Sequence, residues 1–161
     1  KDDTAPPGDD AYRGFTRELK TTASPSSSAQ QVEGLGDDLR LYSILRTDIT
    51  MSQGKANAQC GHAYVAAAIG ALGTPEGDAY ASLSPGTKIC LDGGSLQKMQ
   101  LLIEQISLQG IPCFPIIDRD HVELPDFDGS PILTAIGLGP FTRADTPRAL
   151  RKLKLFKGLQ A

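Results

Sequence analysis

The sequence predicts an α/β fold: a mixed four-stranded sheet with helices on both faces, in the order β-α-β-α-β-β-α. Three observations carry the prediction. From Leu39 onward, short apolar runs bounded by turn residues alternate with longer segments of helical spacing. An alanine-rich stretch opens directly after the first such run and stops at Gly73. Hydrophobic residues make up 40% and charged residues 22% of 161 positions, enough for one domain with a core of its own.

Leu39–Arg46 reads as the first strand. The helix that follows spans 55–72, and its Ala56, Ala58, Ala63, Ala66, Ala67, Ala68 and Ala71 let the backbone press closely on a sheet. Pro75–Leu83 fits a short helix, and Thr87–Asp92 a second strand. Ser95 caps a helix through Gln109, whose Leu96, Met99, Ile103 and Ile106 form a core-facing stripe, and Gly110 closes it. Cys113–Asp118 is a third strand, and Pro115 within it indicates an edge or a bulge. A polar loop, Arg119–Gly129, leads to a fourth strand at Pro131–Ile136 and then a turn at Gly137–Pro140. The last helix starts at Thr146-Pro147, with Thr as N-cap and Pro at the first helical position.

Residues 1–38 have a different character. Pro6, Pro7, Asp9, Asp10 and the run Ser24-Pro25-Ser26-Ser27-Ser28 leave few large apolar groups, with Tyr12, Phe15 and Leu19 as the only anchors. Such a segment cannot bury enough surface to fold alone. The expected organisation is a low-complexity arm over 1–38 and a domain over 39–161. Residues 1–36 are expected to be ordered against a protein partner or a dimer mate. Lys1 in place of Met suggests a processed product, and no secretory pattern is visible, so the expected location is mitochondrial or cytoplasmic, not secreted. No apolar run approaches the roughly 18 residues of a membrane span. Cys60, Cys90 and Cys113 are odd in number and lie in apolar elements, which reads as buried reduced thiols, and they lack the spacing of a metal site.

The net charge of −3 argues against a generic nucleic-acid coat. The charge is uneven, however. Arg143, Arg148, Arg151, Lys152, Lys154 and Lys157 stand against Asp145 alone near the C-terminus. This cationic end is either a phosphate contact or, more commonly, a solvated helix face.

The strongest chemical candidate is Lys55, at the mouth of the alanine-rich helix. Free N–H groups, the positive end of the helix dipole and an ammonium there converge on one place for an anion. Gly54 permits close backbone approach by a ligand. Asp118 closes an apolar strand at the end of the sheet where α/β proteins bind ligands, and an acid there can orient or deprotonate water. Asp92, before Gly93-Gly94, reads as a turn residue. His62 lies two helical turns after Lys55, and its commoner role is packing in the helix–sheet layer. His121, among Asp118, Asp120 and Glu123, matches no ligand spacing, so no metal is expected.

The stretch 39–156 resembles the type II peptidyl-tRNA hydrolase family of archaea and eukaryotes. The residues that carry the resemblance are Arg46-Thr47-Asp48, Met51 and Gly54-Lys55-x-x-Ala58-Gln59-Cys60-x-His62-Ala63. Lys88, Asp118, Gly129-Ser130, Ile136-Gly137-x-Gly139-Pro140 and Leu153-Lys154-Leu155-Phe156 extend it. The resemblance implies hydrolysis of the ester between a peptide and the 3′ ribose of tRNA, with no cofactor. It implies catalytic roles for Lys55 and Asp118, and a substrate surface that includes Gly54, Gln59, His62, Arg148 and Lys152. After its catalytic Asp the family usually has a small residue, Gly, any residue, then Thr; here the order is Asp118-Arg119-Asp120-His121-Val122, and Pro125–Asp128 lengthens the loop. The family's next threonine aligns with Ile132, and Thr134, two residues on and on the same strand face, stands in as the third catalytic candidate. These departures give a second reading: a catalytically impaired relative that serves as a structural subunit of a large, mitochondrial assembly, held by its N-terminal arm.

Overall fold

The computed structural model describes residues 38–158. The N-terminal arm, its contact with a partner and its boundary with the domain lie outside the described residues. The first strand of the chain becomes a central strand of the sheet. Strand β1, Arg40–Arg46, pairs in parallel with β2, Thr87–Gly94, on one side and antiparallel with β6, Ile132–Phe141, on the other. Strand β3, Phe114–Asp118, pairs antiparallel with β6, so the order across the sheet is β2-β1-β6-β3. Pro115 has no N–H to give a ladder, and β3 is indeed an edge strand.

Helices cover both faces. Helices α1, Gln53–Ala71, and α2, Pro75–Ala81, lie on one; α3, Leu96–Ser107, and α4, Arg148–Arg151, lie on the other. Strand β1 has a near-continuous apolar run because it is buried on both sides. Its Tyr42 and Ile44 pack with Met99, Ile103 and Ile106 of α3 and with Leu150 of α4. Its Leu41 packs with Ala67, Ala79 and Tyr80, and its Leu45 with Ala56 and Ala63. The predicted α3 stripe is therefore core, and its cap is Ser95, whose hydroxyl accepts from the Lys98 N–H. Met99 and Ile106 are fully buried, worth about 1.5–3 kcal/mol each.

Three local expectations are corrected. Gly137–Pro140 is not a turn: β6 runs straight through it to Phe141. The glycine at 137 marks a close approach instead, since a Cβ there would lie 2.0 Å from the Ala63 carbonyl oxygen of α1. Arg119–Gly129 is not a plain loop but contains a hairpin, β4, Val122–Glu123, and β5, Phe127–Asp128, with Phe127 in the core. Thr146 does not cap the last helix. Its hydroxyl donates to the Thr142 carbonyl at 2.8 Å and meets the Tyr42 hydroxyl at 3.0 Å, so it pins the chain to β1, and Pro147 takes the cap position.

After α4 the chain returns along the outer edge of β2. The Asp92 N–H donates to the Lys154 carbonyl at 2.9 Å, the Phe156 N–H donates to the Cys90 carbonyl at 3.0 Å, and Leu155 bridges Leu91. The tail thus covers an edge that would otherwise present unpaired backbone groups.

Gly137→Ala is expected to lower unfolding free energy by about 1–3 kcal/mol, the usual cost of overpacking. Urea titration measures it, and an unchanged midpoint would show that α1 does not press on β6 as described.

Candidate active site

Four elements converge at one end of the sheet: the C-terminal ends of β1 and β3, the start of β6 and the start of α1. Helix α1 begins two residues earlier than its sequence suggests, because Ser52 is its N-cap and accepts from the Lys55 N–H at 3.2 Å. This places Lys55 in the first turn, aimed across the sheet end. Asp118 is the last residue of β3, opposite Ile132 of β6. The Lys55 ammonium and the Asp118 Oδ2 form an ion pair whose side chains are only 12% and 11% exposed.

Behind the pair lies a chain of hydrogen bonds. Gln59, one turn along α1 from Lys55, donates from Nε2 to Asp118 Oδ2 at 3.4 Å. Its Oε1 accepts from the Thr134 hydroxyl at 2.5 Å, and Thr134 is fully buried on β6. Thr134 thereby settles which way the Gln59 amide points, since only the flip that gives Oε1 to the hydroxyl leaves Nε2 for the carboxylate. The contacts of Lys55 and Gln59 both use Oδ2. Asp118 Oδ1 takes part in neither contact.

The β4–β5 hairpin closes the other side. Phe127 is 1% exposed, and the Lys55 ammonium sits 5.2 Å from its ring centroid. Glu123 accepts from the Ser52 N–H at 3.3 Å, and Asp126 from the Thr50 N–H at 2.7 Å. At the helix mouth the N–H groups of Thr50, Ser52 and Lys55 thus have acceptors within the protein, and the hairpin's own acids supply negative charge that suits the positive end of the helix. Nearby, Arg46 clasps Asp48 at 2.6 Å, and Asp48 also accepts from the Leu96 N–H at the start of α3. Burial would raise the Asp48 carboxyl, but the hydrogen bond and charge of Arg46 outweigh it and hold the group below its usual value. Asp92 accepts from the Thr47 hydroxyl at 2.6 Å and from the Gly94 N–H at 2.9 Å, the turn role expected of it.

Of the residues singled out in the sequence, Lys55, Gln59, Asp118 and Thr134 meet in one place. Gln59 is 4% exposed. It faces inward and holds Asp118. Gly54 is exposed beside Lys55, with open space where a Cβ would stand. His62 is exposed on the outer side of α1 rather than packed against the sheet. Arg148 and Lys152 are exposed at α4, away from the ion pair in sequence but on the chain that leads to Lys154 at the C-terminal end of β2. His121 pairs with Glu123 at 3.3 Å and stacks edge-on to Phe127, and no three His, Cys, Asp or Glu side chains converge among the described residues.

The departures from the family pattern also acquire physical sense. Asp120, where the pattern has glycine, has φ of 60°, a left-handed conformation that Asp tolerates better than most residues. Val122, where the pattern has threonine, is 66% exposed on the hairpin and outside the hydrogen-bond chain. Ile132 packs with Phe127 and Ala135, and Thr134 supplies the buried hydroxyl. Sequence reasoning missed Phe127, the Ser52 cap and the clasps of Glu123 and Asp126. A large aromatic between two aspartates in an otherwise polar loop was the available signal for Phe127.

A family model described as peptidyl-tRNA hydrolase PTH2 matches residues 39–156. Peptidyl-tRNA hydrolase of Pyrobaculum aerophilum is 32% identical over 123 residues, which cover 74% of this chain and 99% of that protein. Those of Methanococcus maripaludis (27% identical, 70% of this chain, 94% of the relative) and Staphylothermus marinus (36%, 60% and 78%) are also similar.

Thr134→Val removes the hydroxyl that satisfies Gln59 while keeping the side chain's shape. Stability is expected to fall by about 1–3 kcal/mol, the usual cost of a buried group left unpaired. Denaturant unfolding of the Val and Ser variants checks this: Ser should retain most of the difference, and a Val variant as stable as the parent would sink the hydrogen-bond chain.

Proposed function

The chain belongs to the peptidyl-tRNA hydrolase PTH2 family and is a peptidyl-tRNA hydrolase-like protein, and we propose that it cleaves the ester between a peptide and the 3′ ribose of tRNA with Lys55 and Asp118 as its catalytic pair. The single observation that carries this reading is the arrangement around Asp118. Lys55 and Gln59 both hold Asp118 through one carboxylate oxygen, and the second oxygen takes part in neither contact. A water held by Oδ1 attacks the ester carbonyl as Asp118 draws off its proton. The ammonium of Lys55 has three donors, so it can keep Asp118 and also meet the oxyanion that develops on the carbonyl. Collapse of that intermediate returns the proton held by Asp118 to the departing 3′ oxygen of the ribose and releases the peptide as a carboxylic acid, which loses its own proton to solvent. Thr134, the third candidate, acts through Gln59 and is a positioning residue in this scheme.

The acyl end of the substrate lies at the ion pair, and tRNA phosphates lie along the cationic chain that includes Arg148 and Lys152. That chain ends beside β2 at the end of the sheet where Lys55 sits, which supports the orientation. No helix among the described residues is long and apolar enough to cross a membrane.

Lys55→Ala and Asp118→Asn are each expected to lower kcat for peptidyl-tRNA hydrolysis by about 100-fold or more. Circular dichroism reports whether each variant keeps its fold, and turnover within a few-fold of the parent by a folded variant would refute the assignment. Arg148→Ala with Lys152→Ala should leave kcat near the parent and raise KM, and should make kcat/KM less steeply dependent on salt. An unchanged salt slope would remove these residues from the tRNA surface.

A further inference from the structure

Cys60 and Cys90 come from different elements and meet. Cys60 projects from α1, and Cys90 from β2, where it lies opposite Ser43 of β1. Their sulfurs are 3.5 Å apart, in hydrogen-bond contact, and both residues are only partly buried, with reduced thiols. Cys113, the third thiol, has no such neighbour among the described residues. We propose that Cys60 and Cys90 are a reversible oxidation site at which hydroperoxides join helix α1 to strand β2 through a disulfide.

The chemistry favours this pair over Cys113. The hydrogen bond from Cys90 lowers the Cys60 thiol to about 7 against the opposing effect of burial. The same hydrogen bond, burial and the nearby Cys60 and Asp92 charges push Cys90 up, so the negative charge belongs on Cys60. Burial pushes Cys113 up to about 12. The thiolate is the nucleophile in thiol oxidation. The Cys60 thiolate attacks the hydroperoxide oxygen, the O–O bond breaks, and Cys60 becomes a sulfenic acid as an alkoxide or hydroxide leaves and takes a proton. The Cys90 sulfur then attacks the Cys60 sulfur, the S–OH bond breaks, and the sulfenic oxygen departs as water with the Cys90 proton. The two thiols have together given two electrons to the peroxide. A dithiol reverses the step by exchange.

The position of the pair gives the bond a consequence. Cys60 directly follows Gln59, whose amide joins Thr134 to Asp118. Closing two sulfurs from contact to covalent distance draws this turn of α1 toward β2, away from β6 and β3 on the far side of β1. Small displacements of a positioned group cost large factors in rate.

The test uses the full chain, treated with hydrogen peroxide, alkylated and digested with trypsin without reduction. The expected product is two hydrogens lighter than the reduced protein, with the peptide 56–88 joined to 89–98 and Cys113 free to alkylate. Dithiothreitol should release the peptides, and Cys90→Ser should give no joined pair. Oxygen added at Cys60 without a link, or a link through Cys113, would overturn the proposal. The effect on turnover rests on the hydrolase reading, whereas the mass does not, so the two fail separately. The linked protein should turn over at least about tenfold more slowly and recover on reduction, and full turnover by the linked protein would overturn the coupling to Asp118.

Discussion

The seat of α1 on the sheet governs what the rest of the molecule can do. At Gly137 the backbone of β6 is bare, and the Ala63 carbonyl of α1 drops into the space a side chain would fill. At Gly70 the ring of Phe114 does the same from β3. Two contacts of this kind along one helix fix both its height above the sheet and its rotation, because close-packed interiors leave little slack. Lys55 lies two turns before Ala63, and Gln59 one. The reach of an ammonium to Asp118 and of an amide to Thr134 follows from that seat. Ala63 and Gly70 of α1 are therefore part of what builds the site.

A second organising theme is the placement of charge. A carboxylate and an ammonium taken largely out of water are costly unless each is satisfied. Here the pair is held by Gln59 and the face of Phe127, and Glu123 and Asp126 stand at the positive end of α1. Two carboxylates of the hairpin, those of Glu123 and Asp126, accept backbone N–H groups. Lys154, in the tail that follows the exposed cations of α4, lies on the opposite edge of the sheet, beside β2. The substrate proposed here is itself uneven, a polyanion at one end and a peptide at the other, and the protein's charge is divided in a matching way.

Much of this was legible in the sequence, and the failures are specific. Apolar spacing located the four sheet strands and the long helices because periodicity of burial is a property of each segment alone. The Asp118–Lys55 pairing was legible through family resemblance and through the position of each at an element end. The length of β6 was not, because glycine and proline at 137–140 signal a turn locally, and only the approach of α1 explains Gly137 within a strand. The role of Thr134 was half seen. Strand alternation put it on the correct face, but alignment favoured Ile132, and the buried amide of Gln59 that gives Thr134 its purpose comes from an element 75 residues earlier. His62 shows the converse, a residue made prominent by pattern that the helix simply turns outward. The N-terminal arm, and any partner or compartment it serves, belongs to residues beyond those described.

Strand β1 sits between β2 and β6, and these two neighbours reach it on very different schedules. The parallel partner follows within about one helix pair of chain, but the antiparallel one is the last sheet strand to leave the ribosome, and the tail that covers β2 comes later still. Long-range pairings of this kind slow folding because the loop must close before any contact rewards it. During synthesis β1, buried on both faces in the finished sheet, therefore waits with one row of backbone groups open until residues near 141 have emerged. A nascent chain stalled short of that point would expose a sticky half-sheet, so the domain is well placed to need a chaperone at its own birth.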